Sequence, residues 1–118
     1  VFAYSALLPE AIKAAEELSA DGVEIEVIDL RTSYPLDEKI ISESVKKTGK
    51  VVIADVDWLF CGIGAEISAH IADNHFHDLK APIKRVGLPH ASHPTSYALE
   101  DVFYPNHESI VKSVRELL

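Results

Sequence analysis

The residues best placed to do chemistry sit in one short stretch, Phe60 to Ile67, which reads FCGIGAEI and follows the apolar run KVVIADVDWL. Paired glycines between a strand and a helix are how backbone N–H groups are brought close to a phosphate. A dinucleotide-binding loop needs a third glycine three residues after the second, and Ile67 stands there. A mononucleotide phosphate loop needs a lysine and a hydroxyl after its last glycine, and here Ala65 and Glu66 follow Gly64. The Glu66 carboxylate would compete with a phosphate for the same helix N-terminus. The glycines are therefore expected to serve packing.

The other reactive side chains form no self-sufficient active site. The chain has six histidines, but His70, His75 and His77 contain no i, i+4 pair of ligands on one helical face. His90 and His93 flank a turn with no cysteine or carboxylate at a metal-site spacing. Cys61 lies near a helix N-terminus, where a thiol can be activated, yet it has no histidine partner or resolving cysteine. Asp29, Asp55 and Asp57 fall near strand ends, where open α/β sheets place ligand contacts. Ser5, Ser33, Ser92 and Ser96 lack the strand–turn–helix setting of a nucleophile elbow. No catalytic, cofactor-binding or metal-binding residue is assigned.

The elements that carry these residues alternate. The chain has 118 residues, 47% of them hydrophobic and 25% charged, which suits one globular domain. Its formal charge of −8 disfavours nucleic acid. No apolar run approaches the ~20 residues that span a bilayer. The single cysteine excludes an internal disulfide and fits a reducing compartment, so a cytoplasmic location is expected. There is no methionine, and the chain opens on VFAYSALL, already strand-like, so a piece of a longer protein is expected.

Val1 to Ser5 predict a strand, followed by a helix with Leu8, Ile12, Ala15 and Leu18 on its inner stripe. A second strand is expected from Val23 to Leu30. A second helix follows from about Leu36, with Ile40, Ile41, Ser44 and Val45 inward. Val51 to Ala54 read as a central parallel strand. The glycine loop, a helix from about Gly64 to Phe76 and a strand from Ile83 to Val86 come next. GLPHASHPTS shows no periodicity. Asn106 is a good N-cap for a last helix carrying Ile110, Val111, Val114, Leu117 and Leu118. Strands alternating with helices predict an α/β fold, a three-layer αβα sandwich with a mostly parallel sheet.

The third helix is apolar on two sides. At about 100° per residue, Ile63, Ile67 and Ile71 project one way, and Ala65, Ala69, Ala72 and Phe76 the other. The first face suits the sheet. The second, with alanines small enough to admit another backbone, is expected at a domain or subunit contact.

In chain order, EAIKAAEEL, VEIEVIDLRTSYPLD, SVKKTGKVVIADVDW, GIGAEISAHIAD, LKAPIKRVGLP and ALEDVFYPNHESIVKSVREL together resemble the C-terminal domain of the transketolase superfamily. Within it they resemble the beta subunit of thiamine-diphosphate-dependent 2-oxo acid dehydrogenases of the pyruvate or branched-chain type. The resemblance covers nearly the whole chain, residues 1–118. It implies a domain that follows a pyrimidine-binding domain and supports assembly with an alpha subunit and a second beta subunit. It implies thiamine diphosphate and Mg in the complete enzyme, bound outside this domain, so that the fragment alone is inactive. It implies a facing lipoyl acyltransferase, and adds Asp78, Lys80 and Leu118 to the contact residues.

The whole enzyme would decarboxylate a 2-oxo acid and reductively acylate a lipoyl group. Some positions depart from the pattern. Val56 follows Asp55 where the family has a glutamate, His90 and Ser92 replace residues of its PDxPxP turn, and Lys80 replaces an acid before Ala81-Pro82. The alternatives are the C-terminal domain of a transketolase or deoxyxylulose-phosphate synthase, or a free-standing protein-interaction module.

Overall fold

The computed structural model describes all residues, 1–118. Its centre is a four-stranded sheet in the order β2-β1-β3-β4, built from β1 (Phe2–Ala3), β2 (Ile28–Asp29), β3 (Val52–Trp58) and β4 (Lys84–Leu88). Every neighbouring pair is parallel, with Phe2 opposite both Ile28 and Ile53, and Ala54 opposite Val86. Four helices cover it: α1 (Leu7–Ala20), α2 (Glu38–Thr48), α3 (Ile63–His75) and α5 (His107–Arg115), while a fifth, α4 (Tyr97–Phe103), lies outside both cores. None is long and apolar enough to cross a membrane.

The pleat sorts side chains into two cores. Ala3, Val52, Ala54 and Val86 point to the face covered by α1 and α5. Phe2, Tyr4, Val51 and Ile53 point to the face covered by α2 and α3. Alternate residues of one strand thus serve opposite layers, and both faces of the central strands are sealed, as a parallel sheet requires. The three-layer expectation holds.

Local signals explain most element ends. Asp37 caps α2, its carboxylate accepting from the Ile40 N–H at 3.1 Å. Left-handed Gly49 (φ 71°) closes α2 behind Lys46 and Lys47. Asn106 caps α5 by accepting from the Ser109 N–H at 3.2 Å, as its type and position predict.

Four expectations are corrected. The buried stripe of α1 is Leu7, Ala11, Ala14 and Leu18, while Ile12 is 49% exposed. The alanines let the Ile110, Val111 and Val114 side of α5 approach closely, so α5 supplies the bulk at that contact. In α2, Ile41 is buried but Ile40 is exposed. The second strand shrinks to Ile28–Asp29 because it is an edge strand paired with a β1 of equal length. Val23, Ile25 and Val27 still pack half-buried against the core. Finally, Leu118, expected on the stripe of the last helix, lies beyond the end of α5 and is 67% exposed. No expectation fell on α4, which has no buried residue.

Candidate interaction surface

The turn from β3 into α3 decides what the glycines do. Gly62 is the N-cap of α3, with φ −76° and ψ 168°. A Cβ there would lie 2.1 Å from the Trp58 carbonyl oxygen and 3.2 Å from the Asp57 carboxylate. No other residue type fits that contact. Gly64 differs: its Cβ would meet only side chains, Ile53 Cγ2 at 3.5 Å and Arg85 Cδ at 3.9 Å, both ordinary contacts. The Asp57 carboxylate lies beside the N-cap and Glu66 lies in the first turn of α3. The chain's own acids hold the position an incoming phosphate would need, so an anionic group does not fit this loop.

The carboxyl ends of the strands carry further constraint. Ser5, Arg31 and Cys61, which follow β1, β2 and β3, all adopt left-handed backbone, with φ of 46°, 56° and 59°. β3 outruns its partner there: Ala54 pairs with Val86 and Trp58 with Leu88, leaving three β3 residues opposite Gly87. Gly87 is needed because a Cβ would lie 2.9 Å from the Asp57 carbonyl oxygen and 3.3 Å from that of Asp55.

The order β2-β1-β3-β4 puts the reversal of strand order between β1 and β3, the usual ligand position in open sheets. Tyr4 and Asp55 stand there. The Tyr4 hydroxyl donates to the Thr32 carbonyl at 3.0 Å. The Asp55 Oδ2 atom is buried without a hydrogen-bond partner. Desolvation, reinforced by Asp57, pushes the Asp55 carboxyl above its usual range. Desolvation, with Asp55 nearby, does the same to the Tyr4 phenol. No group of three or more His, Cys, Asp or Glu side chains is arranged to hold a metal.

The chain also exposes several large apolar side chains. On α3, Ile67 and Ile71 are fully buried against the sheet, whereas Ala69 and Ala72 are exposed, Ala65 is half-buried and Phe76 is 66% exposed. Ala65, Ala69 and Ala72 share the outer face of α3, and Phe76 follows just past its end, where His75 leaves helical geometry (φ −134°). The other expected contact residues lie elsewhere. Asp78 is in the short turn after α3, its carboxylate 3.2 Å from His75 Nδ1. Lys80 lays its aliphatic stem over Gly49. Exposed Leu118 lines a groove of about 270 Å³ with Val1, Val23, Thr48 and Lys50. Lys80 and Leu118 thus border the same short segment around Gly49, away from the α3 face.

Sequence reasoning missed a second apolar region. Trp58, Leu59 and Phe60 before α3, and Tyr97, Leu99 and Val102 on α4, are all exposed at the carboxyl side of the sheet. A run of consecutive apolar residues after a charged strand end was the available signal.

The family description "Transketolase, C-terminal domain" matches residues 1–110 of the chain. The chain belongs to that family. Over all 118 residues it is 40% identical to the "Pyruvate dehydrogenase E1 component subunit beta" of Bacillus subtilis (strain 168), covering 36% of that protein. It is 39% identical to the protein of the same name from Staphylococcus aureus, again over 118 residues and 36% of the relative. Among solved structures, a "Split gene transketolase, inactive beta4 tetramer" superposes with a TM-score of 0.82 over 98% of the chain and 36% of that structure, at 23% identity. The last match concerns the fold alone. As a transketolase C-terminal domain, the chain spans 36% of the length of these curated relatives. The fold class and the resemblance to 2-oxo acid dehydrogenase beta subunits stand as expected.

Proposed function

We propose that this chain is the C-terminal assembly domain of a 2-oxo acid dehydrogenase beta subunit. The observation that carries the reading is the 40% identity, sustained across all 118 residues, to a protein named as a pyruvate dehydrogenase beta subunit. The complete enzyme decarboxylates a 2-oxo acid and passes the acyl group to a lipoyl arm. Thiamine diphosphate, with Mg, supplies the electron sink for that decarboxylation and binds outside this domain. The acid-flanked turn at Gly62, which offers no seat for a diphosphate, supports placing it elsewhere.

The domain's own work is contact. The face of Ala65, Ala69, Ala72 and Phe76 meets a neighbouring domain or subunit, in an assembly of pyrimidine-binding domain, alpha subunit and second beta subunit. Alanines at this spacing let a second backbone approach closely, and Phe76 supplies the large apolar anchor. Asp78, Lys80 and Leu118 form a separate contact toward a lipoyl acyltransferase. The location is cytoplasmic, and the domain on its own is inactive.

The test is the full-length chain produced together with its alpha partner. It is assayed with pyruvate, branched-chain 2-oxo acids and 2-oxoglutarate, with lipoyl acylation as readout. Turnover of one of these substrates supports the reading. Ketol transfer between sugar phosphates with no 2-oxo acid turnover would replace it by a transketolase.

A further inference from the structure

The loop that enters α3 is gripped by β4 and by the turn beyond it. The Leu59 N–H donates to the Leu88 carbonyl at 2.9 Å. The Arg85 guanidinium donates to the Leu59 carbonyl at 2.7 Å. Beyond these two ties, the His90 ring sits against two aromatic rings of the loop. It lies 5.0 Å from Trp58 at an interplanar angle of 73°, and 5.4 Å from Phe60 at 34°. Both distances fall within the reach at which a cation is attracted to an aromatic face. All three rings are exposed, so a proton can reach the imidazole freely.

We propose that His90 is a proton-operated latch, holding the loop from Trp58 to Gly62 more tightly against the β4 side when its imidazole carries a proton. Neutral, the ring offers only aromatic packing. Protonated, it becomes a cation against two π systems, an attraction that multiplies the closed-to-open ratio of an exposed pair by roughly 2- to 5-fold. Histidine is the side chain type whose charge changes between about pH 5 and 8. The latch governs how far Phe60, 64% exposed, stands out from the carboxyl edge.

Several other titratable groups lie on the packed elements. They are Asp55 and Asp57 on β3, Cys61 in the loop, Glu66 in the first turn of α3, Lys84 and Arg85 on β4, Lys112 and Glu116 at the end of α5, and His93 beyond the turn. His93 has its own partner, with Nδ1 3.0 Å from the Tyr104 hydroxyl. A test must therefore separate His90 from all of these.

The experiment is limited chymotryptic digestion of the full-length protein at pH 5.5 and pH 8, with cleavage sites identified by mass spectrometry. Cleavage after Phe60 is expressed relative to cleavage after Tyr97, which is 88% exposed in the same chain and corrects for the protease's own pH dependence. The ratio is expected to fall roughly 2- to 5-fold at the lower pH. It should become pH-independent in both His90→Gln and His90→Phe, the latter keeping the ring without the charge. In His93→Gln the pH effect should persist. A flat ratio in the unaltered protein overturns the latch. So does a pH effect that survives both His90 variants, or one that disappears with His93.

Discussion

The carboxylate of Glu10, in the first turn of α1, accepts hydrogen bonds from both the backbone N–H and Nδ1 of His107, at 3.0 and 3.1 Å. His107 opens α5, so this one side chain pins together the starts of two helices that are 97 positions apart in sequence and share a core. Its Oε1 atom also takes the Lys13 ammonium at 2.5 Å. Lys13 first, and the His107 N–H next, hold the Glu10 carboxyl down at about 2.

A depressed carboxyl stabilises the fold above its unfolded value and loses that contribution as pH falls toward the folded one. For Glu10 the window runs from about 4.5 down to about 2. Thermal midpoints measured across that window should fall less steeply in Glu10→Gln than in the unaltered protein. Near neutral pH the variant should be less stable, because a charge-assisted acceptor has become a neutral one. Parallel curves would mean that the Glu10–His107 tie contributes nothing to folding.

The glycines of the α3 turn should respond in opposite directions. Gly62→Ala places a Cβ 2.1 Å from the Trp58 carbonyl oxygen, a backbone atom that cannot step aside cheaply. The loop must be rebuilt, and a loss of several kcal/mol, in the range of severe substitutions at ~4 or more, is expected. Gly64→Ala meets Ile53 Cγ2 at 3.5 Å and Arg85 Cδ at 3.9 Å, neither of them a clash. It gains helix propensity, worth up to about 1 kcal/mol. Urea unfolding of the two variants settles the point, and equal effects would show that both glycines are merely permissive.

Helix capping provides a graded set. Asp37→Ala and Asn106→Ala each remove a side-chain acceptor from a first-turn N–H and should cost about 1 kcal/mol. Ser96 precedes α4 without any side-chain capping bond, so Ser96→Ala should be nearly neutral. Denaturant midpoints of the three variants check the order. A Ser96→Ala cost matching the other two would show that α4 is capped in solution.

The parts legible from sequence were those where composition and burial agree. The apolar run from Val51 to Ala54 read as a central parallel strand, and Val52 to Ala54 are the buried start of β3. Asn106 marked α5 because a cap residue immediately preceded a clean stripe. The register of α1 was not legible, because close helix contact put Ala11 and Ala14 inside and left the larger Ile12 outside. Bulk is a poor guide where two helices approach over alanines. Residues of α4 carry no inward stripe, so no periodicity was there to find. The exposure of Ala69 and Ala72 opposite buried Ile67 and Ile71 was readable by projection, but Phe76 falls just past the end of α3, where projection no longer applies. The Trp58–Phe60 region and its contact with His90 depend on how β3 and β4 end side by side, a tertiary fact with no local signature.

The two faces of α3 allow the central claim to be tested by one measurement in the full-length protein and its alpha partner. Ala69→Arg changes the exposed face, and Ile67→Ala, a control on the fully buried face, should cost roughly 2–5 kcal/mol of stability. The decisive readout is assembly of Ala69→Arg by analytical ultracentrifugation, set beside its thermal unfolding. The account predicts an association constant lowered at least about 10-fold, with folding stability unchanged within about 0.5 kcal/mol, as for an exposed surface position. Assembly equal to that of the unaltered protein, or a loss of stability matching the loss of assembly, would contradict it.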